Sequence, residues 1–127
     1  MNFKYLEAFP KFKKLYEYCT EADEFAITKP NISATSARKA MEYIVKFLYM
    51  AEIPYADNRL TVFEMLSDPL FRECVKDDTV MSSIHYIRKM GNAAAHDGNL
   101  SVEECLSVLR ELHFLVGEFC VLLGLVK

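Results

Sequence analysis

"NISATSARKAMEYIVKFLYMAE", Asn31 to Glu52, decides the fold class of this chain. Ala37, Met41, Ile44, Val45 and Leu48 recur at helical spacing and define one buried stripe. Asn31 or Ser33 is expected to cap the helix by accepting free backbone N–H bonds. Arg38 and Glu42 lie four apart on a shared side, and Pro54 follows the end. Tyr43, Phe47 and Tyr49 fall outside the stripe, where they either pack in the core or offer a binding surface.

The same periodicity continues on both sides. Upstream, Phe3, Leu6, Phe12, Leu15 and Tyr16 follow helical spacing, with a start or restart at Pro10. "TEADEFAIT" reads as a short helical turn closed by Pro30. Downstream, Thr61 and Glu64 have capping-box spacing, with Leu60 as the hydrophobic staple. "PLFRECV" is a second short helix. A longer one starts near Asp78, with Val80, Ile84 and Ile87, then Ala94 or Ala95, facing the core. Gly91 either weakens that helix or lets a neighbour approach closely. Ser101 and Glu104 open a final helix whose apolar positions include Val102, Leu106, Leu109, Leu112, Leu115, Val116, Phe119 and Leu123. No segment alternates with period two for long. The expected fold is all-α, a bundle of roughly four or five main helices in a single domain over residues 1–127.

Composition agrees. Hydrophobic residues at 52% and charged residues at 26% support a packed core. Four glycines and four prolines are few for a β protein with many tight turns. The net charge of −3 comes without a basic stripe, which disfavours autonomous DNA binding. The four cysteines form no C-x-x-C, so no zinc site is expected, and reduced thiols suit a cytoplasmic protein. "MNFKYLEAFPKFKK" does not read as a secretion signal, and "FCVLLGLV" is too short to span a bilayer. The apolar ending "CVLLGLVK" hints at a domain cut from a longer polypeptide.

The stretch "SIHYIRKMGNAAAHDG", Ser83 to Gly98, carries the candidate site. Arg88, Asn92 and His96 are four apart, so on an ideal helix they span about 80° of one face. Three readings follow. In a structural network, Arg88 pairs with a carboxylate such as Glu42, Asn92 bonds a neighbouring backbone, and His96 closes the helix C-terminus. In a catalytic site, His96 is a general acid or base and Arg88 stabilises charge on a phosphorane. In a docking face, the three meet a partner. His85 and His113 are lone helix histidines, and no nucleophile elbow, P-loop or dinucleotide fingerprint occurs.

The order of these segments resembles the N-terminal helical domain of type I restriction enzyme R (endonuclease) subunits, a domain of unknown function. "NFKYLEAFPKFKKLYEYCTEAD", "SARKAMEYIVKFLY", "LSDPLFRECV", "IHYIRKMGNAAAH" and "SVEECLSVLRELHFLVGEF" carry the likeness, and "IRKMGNAAAH" with the upstream R-x-x-x-E helix is its most specific part. Such domains look like members of the wider HEPN group of helical bundles. Some of that group are metal-independent ribonucleases with an R-x(4–6)-H motif. Here seven residues separate Arg88 from His96, and the spacing that fits starts from Lys89, which departs from that motif. The resemblance therefore implies a non-catalytic domain with Arg38, Glu42, Arg88, Asn92 and His96 as a structural network. It implies a longer polypeptide that translocates and cleaves DNA using ATP and magnesium, in complex with methylation and specificity subunits. It implies no cofactor for these residues themselves. The alternatives are a stand-alone HEPN-type ribonuclease or defence effector using Arg88 and His96, and a helical adaptor module.

Overall fold

A computed structural model describes residues 3–96 and 98–125. Among them there are six α-helices and no strand. The long helices are α1 (Lys13–Glu24), α2 (Pro30–Glu52), α5 (Asp78–His96) and α6 (Val102–Leu122). Two short ones, α3 (Val62–Leu66) and α4 (Pro69–Val75), bridge α2 to α5. Two 3-10 turns, Lys4–Ala8 and Pro10–Phe12, lead directly into α1.

Every other α-helix packs against α2. The stripe Ala37, Met41, Ile44, Val45 and Leu48 is buried as expected. Tyr49 is buried as well, while Tyr43 and Phe47 lie half-buried against the core. A helix that is apolar on several sides can bury them only by taking several neighbours. The buried residues form one contiguous cluster reaching from Phe3 to Cys120. Cys19, Cys105 and Cys120 belong to it as free thiols, whereas Cys74 is exposed.

Several local expectations change. Pro30 does not close a turn; it is the first residue of α2, where its missing N–H costs no hydrogen bond. Residues Thr20 to Glu24 continue α1 rather than forming a separate turn. The N-cap of α2 is Lys29, with no side-chain cap. Ser33 Oγ donates instead to Ala22 O at 2.5 Å, tying α2 to α1. Asn31 is used elsewhere, as described below. In α6, Val102 and Leu106 are exposed, on the side of the helix away from the buried Cys105 and Leu109. Ala95 is exposed and Ala94 half-buried, so the α5 core face ends before them.

Both capping boxes are present. Thr61 Oγ1 accepts from Glu64 N at 3.1 Å, and Glu64 Oε1 accepts from Thr61 N at 2.9 Å. Ser101 and Glu104 exchange the same pair of bonds at 3.0 Å each. Leu60 packs half-buried against the core.

Asp68 fastens the α2–α4 corner. Its carboxylate caps α4 by accepting from Leu70 N at 2.9 Å. Tyr49 donates to Asp68 Oδ2 at 2.9 Å, and Tyr55 donates to Oδ1 at 2.9 Å and Oδ2 at 2.8 Å. Burial works against the charged form of Asp68, yet the donors Tyr55, Tyr49 and Leu70 N–H together hold its pKa below the usual aspartate value. Burial, then the bond to Asp68, pushes the Tyr49 hydroxyl up to about 12. A lowered folded-state pKa stabilises the fold above the unfolded aspartate value of 3.8 and stops doing so as pH falls through the folded value. Melting curves of the native chain and Asp68→Asn, taken between about pH 2 and about pH 7, are therefore expected to separate most near neutrality and converge at the acid end. A gap that is constant with pH would mean that the charge of Asp68 contributes nothing.

Candidate functional site

Geometry around α5 starts from Gly91. A Cβ built there would lie 2.5 Å from Arg38 Cβ and 3.1 Å from Arg38 Cγ and Cδ. Glycine is what lets the α2 and α5 axes come this close. The approach lays the Arg38 side chain across α5, where its Nη1 donates to Asn92 Oδ1 at 2.9 Å. The Arg38 Nε–H is buried and, among the described residues, has no hydrogen-bond partner.

One turn earlier on α5, Arg88 does something different. Its guanidinium carbon stands 5.1 Å from the centroid of the Phe63 ring on α3, a cation–π contact. The ion pairs among the described residues are Lys14–Glu17 and Arg59–Asp57, so Arg88 is not paired with Glu42. Glu42 is half-buried on α2, one turn beyond Arg38. Asn92 bonds a side chain rather than a neighbouring backbone. His96 is the last residue of α5 and is exposed. The expected network of five therefore divides. The fold joins Arg38 to Asn92, sends Arg88 to Phe63, and leaves His96 at the helix end.

The C-terminal end of α5 is held by a residue assigned elsewhere from sequence. Asn31 Nδ2 donates to Gly98 O and, at 3.4 Å, to Ala94 O, while its Oδ1 accepts from Leu100 N at 2.9 Å. One amide thus ties α2 to the α5–α6 connection, satisfying carbonyls that the end of a helix leaves free. Nothing local marks this role, because the partners are more than sixty positions away.

Electrostatics bears on His85 and His113. Burial, then the nearby charges of Arg88 and Arg72, lowers the pKa of His85. Burial also lowers that of His113, against an opposing pull from Asp23. The His113 ring stacks on Phe3 with centroids 3.9 Å apart and planes 5° from parallel, which explains its place at the core edge. Among the described residues, no group of three or more His, Cys, Asp or Glu side chains is placed to hold a metal ion.

A cleft of about 530 Å³ lies between the end of α2, α4 and the end of α6. Leu48, Ile53, Pro54, Leu70, Cys74 and Leu122 line its apolar part. Arg88, Asn92 and His96 do not line it.

As a catalytic pair, Arg88 and His96 are poorly matched. Eight helical steps of about 1.5 Å place them about 12 Å apart along the axis. The Arg88 guanidinium is also directed to Phe63 on a different element.

No family model, curated protein or solved structure matches this chain. No helix among the described residues is long and apolar enough to cross a membrane.

Proposed function

We propose that this chain is a non-catalytic interaction and positioning domain, the N-terminal helical domain of a type I restriction enzyme R subunit with a HEPN-like bundle. The observation that carries the non-catalytic part is the use made of the "IRKMGNAAAH" box. Gly91 seats Arg38, Asn92 accepts from Arg38, and Ala94 O accepts from Asn31. These residues hold helices together, while Arg88 is engaged by Phe63 and His96 stands at the end of α5. The order of segments along the chain supports the family. In this reading, DNA translocation and cleavage with ATP and magnesium belong to the rest of a cytoplasmic phage-defence polypeptide. The domain orients that polypeptide against its methylation and specificity subunits, and DNA is contacted through the full-length protein.

The test is the mass of the native polypeptide in its source cells, read with an antibody against this domain on a denaturing gel. A band many times heavier than 14.6 kDa that co-purifies with a methyltransferase is the expected result. A band at 14.6 kDa would sink the assignment.

A further inference from the structure

Two arginines, a histidine and an aromatic ring from three elements come to one place on the surface. On α5, His85 and Arg88 are three apart and share a face. On α4, Arg72 donates through Nε to Leu66 O at 3.3 Å, which draws its side chain back over the end of α3. On α3, Phe63 is 60% exposed and lies under the Arg88 guanidinium at 5.1 Å. His85 feels both arginines, which agrees with this convergence.

No carboxylate among the described residues forms an ion pair with Arg72 or Arg88. Glu64, beside Phe63 in sequence, is turned back to cap its own helix through Thr61 N. The two arginines thus stand without an ion-pair partner beside an exposed aromatic ring, in a chain whose net charge is −3. Bringing like charges together without a counter-charge is unfavourable, and an external anion relieves it. Arginine and aromatic side chains are also the residue types that dominate binding at protein interfaces.

We propose that the Phe63–Arg72–His85–Arg88 surface docks an acidic segment of a partner protein, with carboxylates on the two guanidinium groups and an apolar side chain against Phe63. Guanidinium forks match carboxylates in a two-point fashion, and Arg88 is already oriented by its ring contact. A protein segment suits the patch better than nucleic acid. Two arginines neutralise too few phosphates to grip a strand, which takes a longer basic groove. The proposal rests on the reading of this chain as an interaction domain and names the chemistry of the partner.

The test is a titration of the ¹⁵N-labelled chain with a synthetic peptide of about ten residues, rich in Asp and Glu and carrying one Leu and one Phe. A parallel titration uses an oligothymidine of about ten nucleotides. Peptide-induced shifts are expected at Phe63, Arg72, His85, Arg88 and their neighbours. The affinity is expected to fall at least about tenfold in the double variant Arg72→Glu, Arg88→Glu, and several-fold on going from about 0.05 to about 0.5 M salt. Arg72→Lys with Arg88→Lys keeps the charge and loses the fork, so an intermediate loss is expected. Phe63→Ala is expected to weaken binding with the melting temperature retained, since the ring is largely exposed. Three results would overturn the proposal: no shifts at this surface, unchanged affinity in a folded charge-reversed variant, or tighter binding of the oligothymidine here. Failure with the peptide alongside a heavy native band would remove only this surface assignment. A light band with peptide binding intact would remove only the restriction-subunit reading.

Discussion

Phe12→Ala is expected to destabilise the chain by about 3–5 kcal/mol, the range for removing a fully buried phenylalanine. Phe12 is 0% exposed. Its ring meets Phe47 at 5.3 Å and Phe119 at 5.4 Å, both edge-to-face, with Tyr43 at 6.5 Å. Phe47 and Phe119 also meet each other at 5.6 Å. These rings come from the N-terminal turn, α2 and α6, so one side chain joins three parts of the bundle. Truncation removes the buried area, the ring-edge contacts and a wall of the remaining cluster at once. Against a total stability of about 5–15 kcal/mol, that is a large fraction. Equilibrium denaturation in urea measures it, with Phe12→Leu as the partner variant. Leucine keeps most of the apolar volume, so its cost is expected to stay near about 1.5 kcal/mol. A loss below about 1 kcal/mol for alanine would mean that the N-terminal segment does not contribute to the core as placed.

Gly91→Val is expected to cost about 3 kcal/mol, with Gly91→Ala losing about 1–2 kcal/mol. The sign for alanine is the informative part. In an open helix, glycine to alanine gains up to about 1 kcal/mol from propensity alone. Here the new methyl would meet Arg38 Cβ at 2.5 Å, and that atom is fixed to the α2 backbone. The two helices must therefore separate at this point, which also pulls on the Arg38–Asn92 bond. Gly117 supplies the internal comparison. It lies inside α6 with nothing within 4 Å of a built Cβ, so Gly117→Ala is expected to stabilise by up to about 1 kcal/mol. Denaturation curves of the three variants decide the matter. If Gly91→Ala stabilised the chain as Gly117→Ala does, the close α2–α5 approach would have enough slack to accept a side chain.

Both results depend on side chains whose importance was only partly legible beforehand. Phe12 belonged to the apolar series of the first helical segment, yet that series does not say that Phe12 rather than Phe3 or Tyr16 meets the rings of α2 and α6. In the sequence Gly91 is compatible with either a weak point or a close approach, and Arg38 on α2 settles it as the approach. Arg88, Asn92 and His96 drew notice through their spacing, which places residues on a face but names no partners. Arg38 and Phe63 then divided the trio between them. Phe63 had no visible role from sequence, since an aromatic residue within "VFEML" reads as core. Its exposure arises because Val62, Met65 and Leu66 fill the buried side of that one-turn helix.

The sequence by itself determined the all-α class, the positions of α2, α5 and α6, both capping boxes and the buried stripe of α2. Those features rest on 3.6-residue periodicity and on hydrogen bonds between groups at most four residues apart, so the information is local. Only the tertiary structure decided that Asn31 fastens the α5–α6 connection instead of capping α2, that Arg38 and not Arg88 holds Asn92, and that Phe63 faces outward beside two arginines. Long polar side chains have several partners within reach, and which is met depends on the docking of helices distant in the chain. Here that docking is set in large part by one glycine, which brings α2 against α5.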